Sequence, residues 1–148
     1  MKKILILLVF AFAFLFAGCS AKTPVTLDEF KQTMQKAGYS IHDVTAQYGE
    51  IAQSVTVARK DNYQVEFFVL KSDEDAAASF ASNKNRLEPM EGGNVKTSVT
   101  ASNYSSYNLT TKDQFYGVYR VGHTMIYLRV PKEQKDAVSE LVKALGYK

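Results

Sequence analysis

Apolar and polar residues divide the chain into a continuous apolar leader and a longer segment with alternating patterns. Residues 4–16 are a run of 13 apolar residues, preceded by Lys2 and Lys3. From residue 25 onwards, apolar residues recur at the spacings of amphipathic helices and of strands. The pattern therefore predicts a short leader followed by one folded unit.

The first helical pattern runs from about residue 27 to residue 37. Thr26 and Glu29 have the spacing of a capping box, in which each side chain hydrogen-bonds the backbone N–H of the other residue. Gly38 is typical of a helix stop, because glycine adopts the left-handed backbone conformation without steric cost. We expect the folded domain to begin with this helix.

Two further helices are predicted at residues 72–87 and 131–145. The ends of the first and last helices, residues 36–39 and 143–147, both contain lysine and alanine and finish on glycine and tyrosine. This similarity indicates a shared helix stop, with the tyrosine packed back onto its helix. The apolar stripe predicted for the second helix consists of Ala77, Phe80, Ala81 and Leu87.

Between the helices, alternation and β-branched or aromatic residues predict strands. Residues 63–70 are apolar on both faces at their end, which is typical of a central strand. The helices stand in separate blocks joined by short hairpins, so we expect an α+β single domain with three helices and an antiparallel sheet of five to seven strands. The candidate strands are residues 40–45, 51–60, 63–70, 96–102, 104–110, 115–121 and 124–130.

Charge and cysteine content exclude several classes of protein. The 148 residues include 18 basic and 15 acidic ones, and removal of Lys2 and Lys3 with the leader leaves 16 against 15. These charges are interspersed, without the basic stripe that would neutralise a phosphate backbone, so nucleic acid is not an expected partner. A single cysteine excludes an internal disulfide.

The leader has the anatomy of a signal peptide. Its positive amino end is followed by the apolar run and by the small residues Ala17 and Gly18. A membrane-spanning helix needs about 20 apolar residues, and this run is shorter. We therefore expect a leader that is cleaved rather than one that stays as an anchor.

Residues 15–19, Leu-Phe-Ala-Gly-Cys, resemble the lipobox of bacterial lipoproteins, in which small residues precede a cysteine at the end of the apolar run. Phe16 stands where that family prefers leucine. The resemblance implies cleavage between Gly18 and Cys19 by signal peptidase II, and a diacylglyceryl group on Cys19. It implies no other cofactor, and it places the domain on the extracytoplasmic face of the cell membrane.

This interpretation divides the chain into three parts. Residues 1–18 are the signal peptide, residues 19–25 are the lipidated cysteine and a short tether, and residues 26–148 are a single α+β domain. Six extended residues reach about 20 Å. We therefore expect the domain to lie close to the membrane surface.

A catalytic grouping is hard to assemble from the remaining residues. His42 and His123 are the bases available near neutral pH, and neither has a ligand or a carboxylate at motif spacing. Asp73–Asp75 lacks the glycine and the distal glutamate of a calcium loop. We expect neither catalytic residues nor a metal site. The alternative is a cell-envelope hydrolase acting on wall polymer or peptide through Glu66, Asp43 or a histidine.

Aromatic residues are concentrated between residues 103 and 127. Side chains of this kind build recognition surfaces for protein or sugar, because they bury a large area with few rotatable bonds. They are also good strand formers whose rings pack across neighbouring strands. The two interpretations differ in the expected exposure of the rings. The candidate recognition residues are Tyr104, Tyr107, Tyr116, Tyr119 and Arg120.

The favoured hypothesis is a non-catalytic, membrane-anchored module that binds an envelope protein or a small ligand. It rests on the expected lipid anchor, the short tether and the missing catalytic grouping. A further alternative, an accessory subunit of a membrane complex, requires an exposed apolar patch larger than the few hundred Å² usual for monomers.

Replacement of Cys19 tests the anchor. Two acyl chains hold a protein durably on a membrane, whereas the unmodified chain has no such attachment. We expect Cys19→Ser to move the protein from the membrane to the soluble fraction, as measured by fractionation and immunoblotting. A Cys19→Ser protein that stays with the membrane at the mature size would contradict lipidation.

Overall fold

The computed structural model describes residues 21–90, 95–101 and 103–148. The predicted signal peptide and lipobox, including Gly18 and Cys19, lie outside the described residues. The described part has three helices and seven strands. The helices are α1 (Leu27–Lys36), α2 (Asp73–Leu87) and α3 (Lys135–Ala144), and the strands are β1 (Ser40–Asp43), β2 (Ala52–Lys60), β3 (Tyr63–Leu70), β4 (Val95–Thr100), β5 (Tyr104–Thr110), β6 (Gln114–Val121) and β7 (Thr124–Pro131).

All seven strands form one antiparallel sheet in the order β1-β2-β3-β7-β6-β5-β4. Two meanders, β1 to β3 and β4 to β7, join where β3 pairs with β7, and α2 carries the chain from β3 to the far edge. The α+β class is confirmed. We call the end with the β6–β7 turn the Gly122 end, and the end with the β2–β3 turn the Asp61 end.

Helices α1 and α3 cover one face of the sheet, called here the two-helix face. Phe30 of α1 stacks on Phe67 of β3 with the ring centres 4.7 Å apart. Val138 and Val142 of α3 are fully buried in the same cluster. This face holds the larger core, and its apolar burial is the main stabilisation of the domain.

Helix α2 alone covers the opposite face, called here the one-helix face. Ala76, Phe80 and Leu87 are buried, at spacings of four and seven residues that lie on one side of a helix. The predicted stripe was wrong for Ala77 and Ala81, which are exposed. In a run of three alanines, the pattern does not distinguish which alanine faces the sheet.

The two similar helix ends adopt the same conformation. At the end of α1, Gly38 has φ 84° and the N–H of Tyr39 donates to Met34 O at 3.0 Å. At the end of α3, Gly146 has φ 80° and the N–H of Tyr147 donates to Val142 O, also at 3.0 Å. Both tyrosines are buried, which confirms the predicted helix stop with a packed tyrosine.

The start of β2 departs from simple alternation. The pairing of β2 with β3 shifts between Ala52 and Ser54, which marks a β-bulge. Side chains before the bulge therefore point to the opposite face of the sheet from the one that simple alternation predicts. Ala52 is therefore buried, whereas Ile51, which alternation placed with Val55, is 67% exposed.

The segment before α1 is held against the Gly122 end. The backbone N–H of Lys22 donates to Asn103 Oδ1 at 3.0 Å, and Asn103 Nδ2 donates to Lys22 O at 2.6 Å. The Lys22 ammonium lies 3.8 Å from the centre of the Tyr104 ring and donates to Gly146 O at 3.3 Å. The chain is thus attached to the domain from residue 22 onwards.

Gly117 in β6 makes room for a buried ring. A Cβ atom at this position would lie 2.5 Å from Tyr119 Cε2 and 2.8 Å from its hydroxyl oxygen. The ring crosses Gly117 to reach Asn108, and the Tyr119 hydroxyl hydrogen-bonds the Asn108 side chain. The absence of a side chain at residue 117 therefore sets the orientation of Tyr119.

We expect Gly117→Ala to lower the free energy of unfolding by about 1–3 kcal/mol, because the added methyl group overpacks the core against the ring. Urea denaturation measures this change. In a Tyr119→Leu background the same substitution should cost less. An equal cost in both backgrounds would show that the ring is not the cause.

Candidate ligand-binding groove

Helix α2 leaves the Asp61 end of the one-helix face uncovered, and a groove of about 660 Å³ lies there. Strands β2, β3, β6 and β7 all contribute to it. Most of its side chains are charged or carry amides, and two are tyrosines. The lining residues are Arg59, Asp61, Asn62, Tyr63, Gln64, Glu66, Gln114, Tyr127, Arg129 and Pro131.

A second pocket of about 380 Å³ adjoins the first on one flank of α2. Both pockets are lined by Glu66 and Tyr127, so together they form one continuous depression along β3 and β7, called here the long groove. Its α2 wall consists of Ser79, Asn83 and Arg86, which recur every three or four residues on one side of the helix.

Glu66 is the carboxylate at the junction of the two pockets. Its Oε1 accepts a hydrogen bond from Gln64 Nε2 at 2.7 Å. Burial raises the pKa of the Glu66 carboxyl, while interactions with Gln64, Arg86 and Tyr48 oppose the shift. Glu66 therefore holds a proton to higher pH than a solvated glutamate does.

Two arginines of the long groove lie over tyrosine rings. The Arg86 guanidinium is 5.7 Å from the centre of the Tyr127 ring, and that of Arg129 is 5.7 Å from the centre of the Tyr116 ring. Such contacts orient a guanidinium without using its N–H donors. Together with Arg59, these arginines outnumber the two carboxylates of the groove. The groove is therefore positively charged and rich in planar donors.

The predicted recognition residues do not form one exposed surface. Tyr107, Tyr116 and Arg120 belong to the one-helix face, whereas Tyr104 and Tyr119 lie on the two-helix side of the sheet. Tyr107, Tyr116, Tyr119 and Arg120 are all buried. Of the two interpretations of the aromatic residues, these positions favour packing across strands, because the rings fill the cores on both faces. Tyr116 nevertheless supports Arg129 in the long groove.

The histidines lie away from the long groove. His42 is exposed on the edge strand β1, with Nε2 3.2 Å from Ser40 Oγ. His123 is in the β6–β7 turn, with Nδ1 3.9 Å from Asp73 Oδ1. Neither is among the residues that line the two pockets of the long groove.

The carboxylates are also dispersed. The side chain of Thr45 and its backbone N–H, which donates to Asp43 Oδ1 at 2.8 Å, lower the pKa of Asp43 on β1. Asp61 shares the groove with Glu66 but sits in the β2–β3 turn, beyond Tyr63. Within residues 21–90, 95–101 and 103–148, no group of three or more His, Cys, Asp and Glu side chains could hold a metal ion.

Sequence reasoning singled out Glu66 but missed the polar residues around it. Gln64 and Glu66 interrupt an apolar strand at alternate positions, so they share a face. That signal indicates a polar strip on β3. It does not indicate that α2 leaves the strip open, or that Arg129 lies opposite Gln64 on β7.

Large exposed apolar side chains are few. In the described part of the chain they are Ile51 and Val99, at 67% and 51% exposure, and they lie on opposite halves of the sheet. No helix of the described part has both the length and the apolar character needed to cross a membrane. Comparison of the chain with protein-family models, curated proteins and solved structures yields no match.

Glu66→Gln tests the environment of the groove carboxylate. Because the folded-state pKa lies above the ordinary value of 4.5, protonated Glu66 favours folding, and this contribution is lost as the pH rises through the folded-state pKa. The wild type should therefore lose stability relative to Glu66→Gln between about pH 4 and pH 7. Urea denaturation at both pH values measures the difference. The exposed Glu133→Gln controls for charge, and a wild type that gains stability over Glu66→Gln in this range would contradict the assignment.

Proposed function

We propose that this chain is an extracytoplasmic lipoprotein, held on the cell membrane through a diacylglyceryl group on Cys19, and that its domain binds an extended polar partner in the long groove. The anchor rests on the leader and on the single cysteine at its end. The binding role rests on one observation, an open groove of charged and amide side chains on the one-helix face.

The attachment of Lys22 supports an outward orientation of the groove. A lipid on Cys19 would be three residues from the point where Lys22 is held at the Gly122 end, a reach of at most about 11 Å. The groove opens at the Asp61 end. The eight residues of β3 connect the two ends, so at about 3.3 Å per residue the Asp61 end of the long groove would lie roughly 26 Å from the anchored end.

The chemistry of the groove favours a peptide segment of another envelope protein. Gln64, Gln114 and Asn62 present amides that pair with a peptide backbone, and the arginines suit acidic side chains or a carboxylate. The long groove follows β3 and β7, which suits an extended chain. The same side chains would also bind a small polar ligand in place of a peptide.

The alternative is a hydrolase with Glu66 as general acid, which the raised pKa of this carboxyl favours. This alternative lacks a second catalytic group, a base or a nucleophile, beside Glu66. Asp61 lies at the β2–β3 turn and both histidines lie outside the groove. A Glu66→Gln variant that accumulates bound partner in cells would support this alternative, because a disabled acid traps its substrate.

Site-specific crosslinking in intact cells tests the binding role. A photoreactive residue in place of Gln64 should form adducts with a defined partner. The same residue in place of Lys143, an exposed position of α3, should not. Arg129→Gln should reduce adduct formation about fivefold or more, the effect of removing an interface arginine worth about 1 kcal/mol.

Lys132→Gln is the matched control, since it removes the same charge three residues away and outside the groove. An equal loss of adduct formation with Arg129→Gln and Lys132→Gln would indicate a general effect of charge. Equal labelling from positions 64 and 143 would contradict the groove as the binding site.

A further inference from the structure

A third cavity, of about 330 Å³, lies on the other flank of α2 towards the Gly122 end. It is separated from the long groove by the helix itself. Two positive side chains, two hydroxyls and an amide line it, and no carboxylate does. The lining residues are Ala77, Phe80, Ala81, Lys84, Asn85, Thr100, Ser105 and Arg120.

Arg120 forms the floor of this cavity and is only 6% exposed. Its Nη1 donates to Gly122 O and its Nη2 to Ser105 Oγ, both at 3.4 Å, which is longer than the usual distance of about 2.9 Å. Its Nε, also buried, has no hydrogen-bond partner. The guanidinium is thus poorly satisfied by the protein.

No carboxylate neutralises Arg120 within the described part of the chain. The two salt bridges found there join Lys84 to Glu88 at 3.5 Å and His123 to Asp73 at 3.9 Å. Arginine is almost never this buried unless it is paired, because a desolvated charge without a partner destabilises the folded state. The cavity is therefore a place where an added negative charge would be stabilised.

The sequence makes room for such a ligand. Ala77 and Ala81, one turn apart on α2, have no side chain beyond Cβ to fill the space. On the sheet below, Arg120 pairs across the strands with Ser105, which pairs with Thr100. Two small hydroxyl residues therefore continue the row that begins with the guanidinium, and Lys84 lies on the helix above them.

We propose that this cavity is a binding site for a small oxyanion, either a phosphate or the carboxylate of a small organic acid. The anion accepts from the Arg120 guanidinium and from the hydroxyls of Ser105 and Thr100. Lys84 adds positive charge from the wall. The site is independent of the long groove and of the membrane anchor.

Inorganic phosphate and acetate are the probes, added to the full-length chain in detergent, with sodium chloride adjusted to hold ionic strength constant. We expect each anion to raise the thermal unfolding temperature saturably, since a ligand that binds the folded state stabilises it. Lys84→Gln should weaken the apparent affinity several-fold. Arg120→Met should abolish the response.

Lys143→Gln is the matched control, because it removes the same charge from an exposed position of α3, on the opposite face of the sheet and outside the cavity. It should leave the affinity for phosphate unchanged. Without phosphate, we expect Arg120→Met to unfold at the same or a higher temperature than the wild type, because an uncompensated buried charge has been removed.

Should Arg120→Met fail to fold, Ser105→Ala and Thr100→Val probe the same cavity with uncharged replacements, and each should weaken phosphate binding several-fold. A response that does not saturate, or one that Lys143→Gln and Lys84→Gln diminish equally, would overturn the proposal. Loss of crosslinking in the long groove would not affect it.

Discussion

The pairing of β3 with β7 is the constraint on which the rest of the fold depends. It joins two local meanders that are far apart in sequence, and its register runs from Gln64 opposite Arg129 to Val69 opposite Thr124. The same register places Glu66 opposite Tyr127. The strand pair that joins the two halves of the sheet is therefore also the floor of the long groove. A register shift by one residue would turn the polar side chains of this floor into the core.

A single helix on one face of a wide sheet explains why this domain has open sites. Seven strands about 4.8 Å apart span roughly 29 Å, and α2, a cylinder about 10 Å across, covers only the middle of that width. On one flank the uncovered sheet carries Glu66 and Tyr127, and on the other it carries Arg120 and Ser105. The two-helix face, by contrast, is filled by two helices and their buried tyrosines.

Some site residues could be predicted from a single segment of the sequence, whereas others depend on how distant segments pack together. Alternation along β3 identified Glu66 as unusual, since a carboxylate in an apolar strand is visible from one segment alone. The aromatic cluster was misleading as a surface, because strand propensity and recognition favour the same residues. Tyr107 and Tyr119 are buried on opposite faces, and their burial depends on which helix covers each face, a property of the whole chain. Arg120 belonged to the predicted set, but only the tertiary structure shows that it is buried without a carboxylate partner.

Local patterns in the sequence determined the capping box of Thr26 and Glu29, the helix stops at Gly38 and Gly146, most strand positions and the α+β class. Each of these depends on residues within a turn or two of one another, so short segments encode them. Tertiary structure alone decided the strand order, the faces of Ala76 and Ala77, the bulge that exposes Ile51, and the two flanks left open beside α2. Those features arise from contacts between residues far apart in sequence, where the energy of packing outweighs local preference.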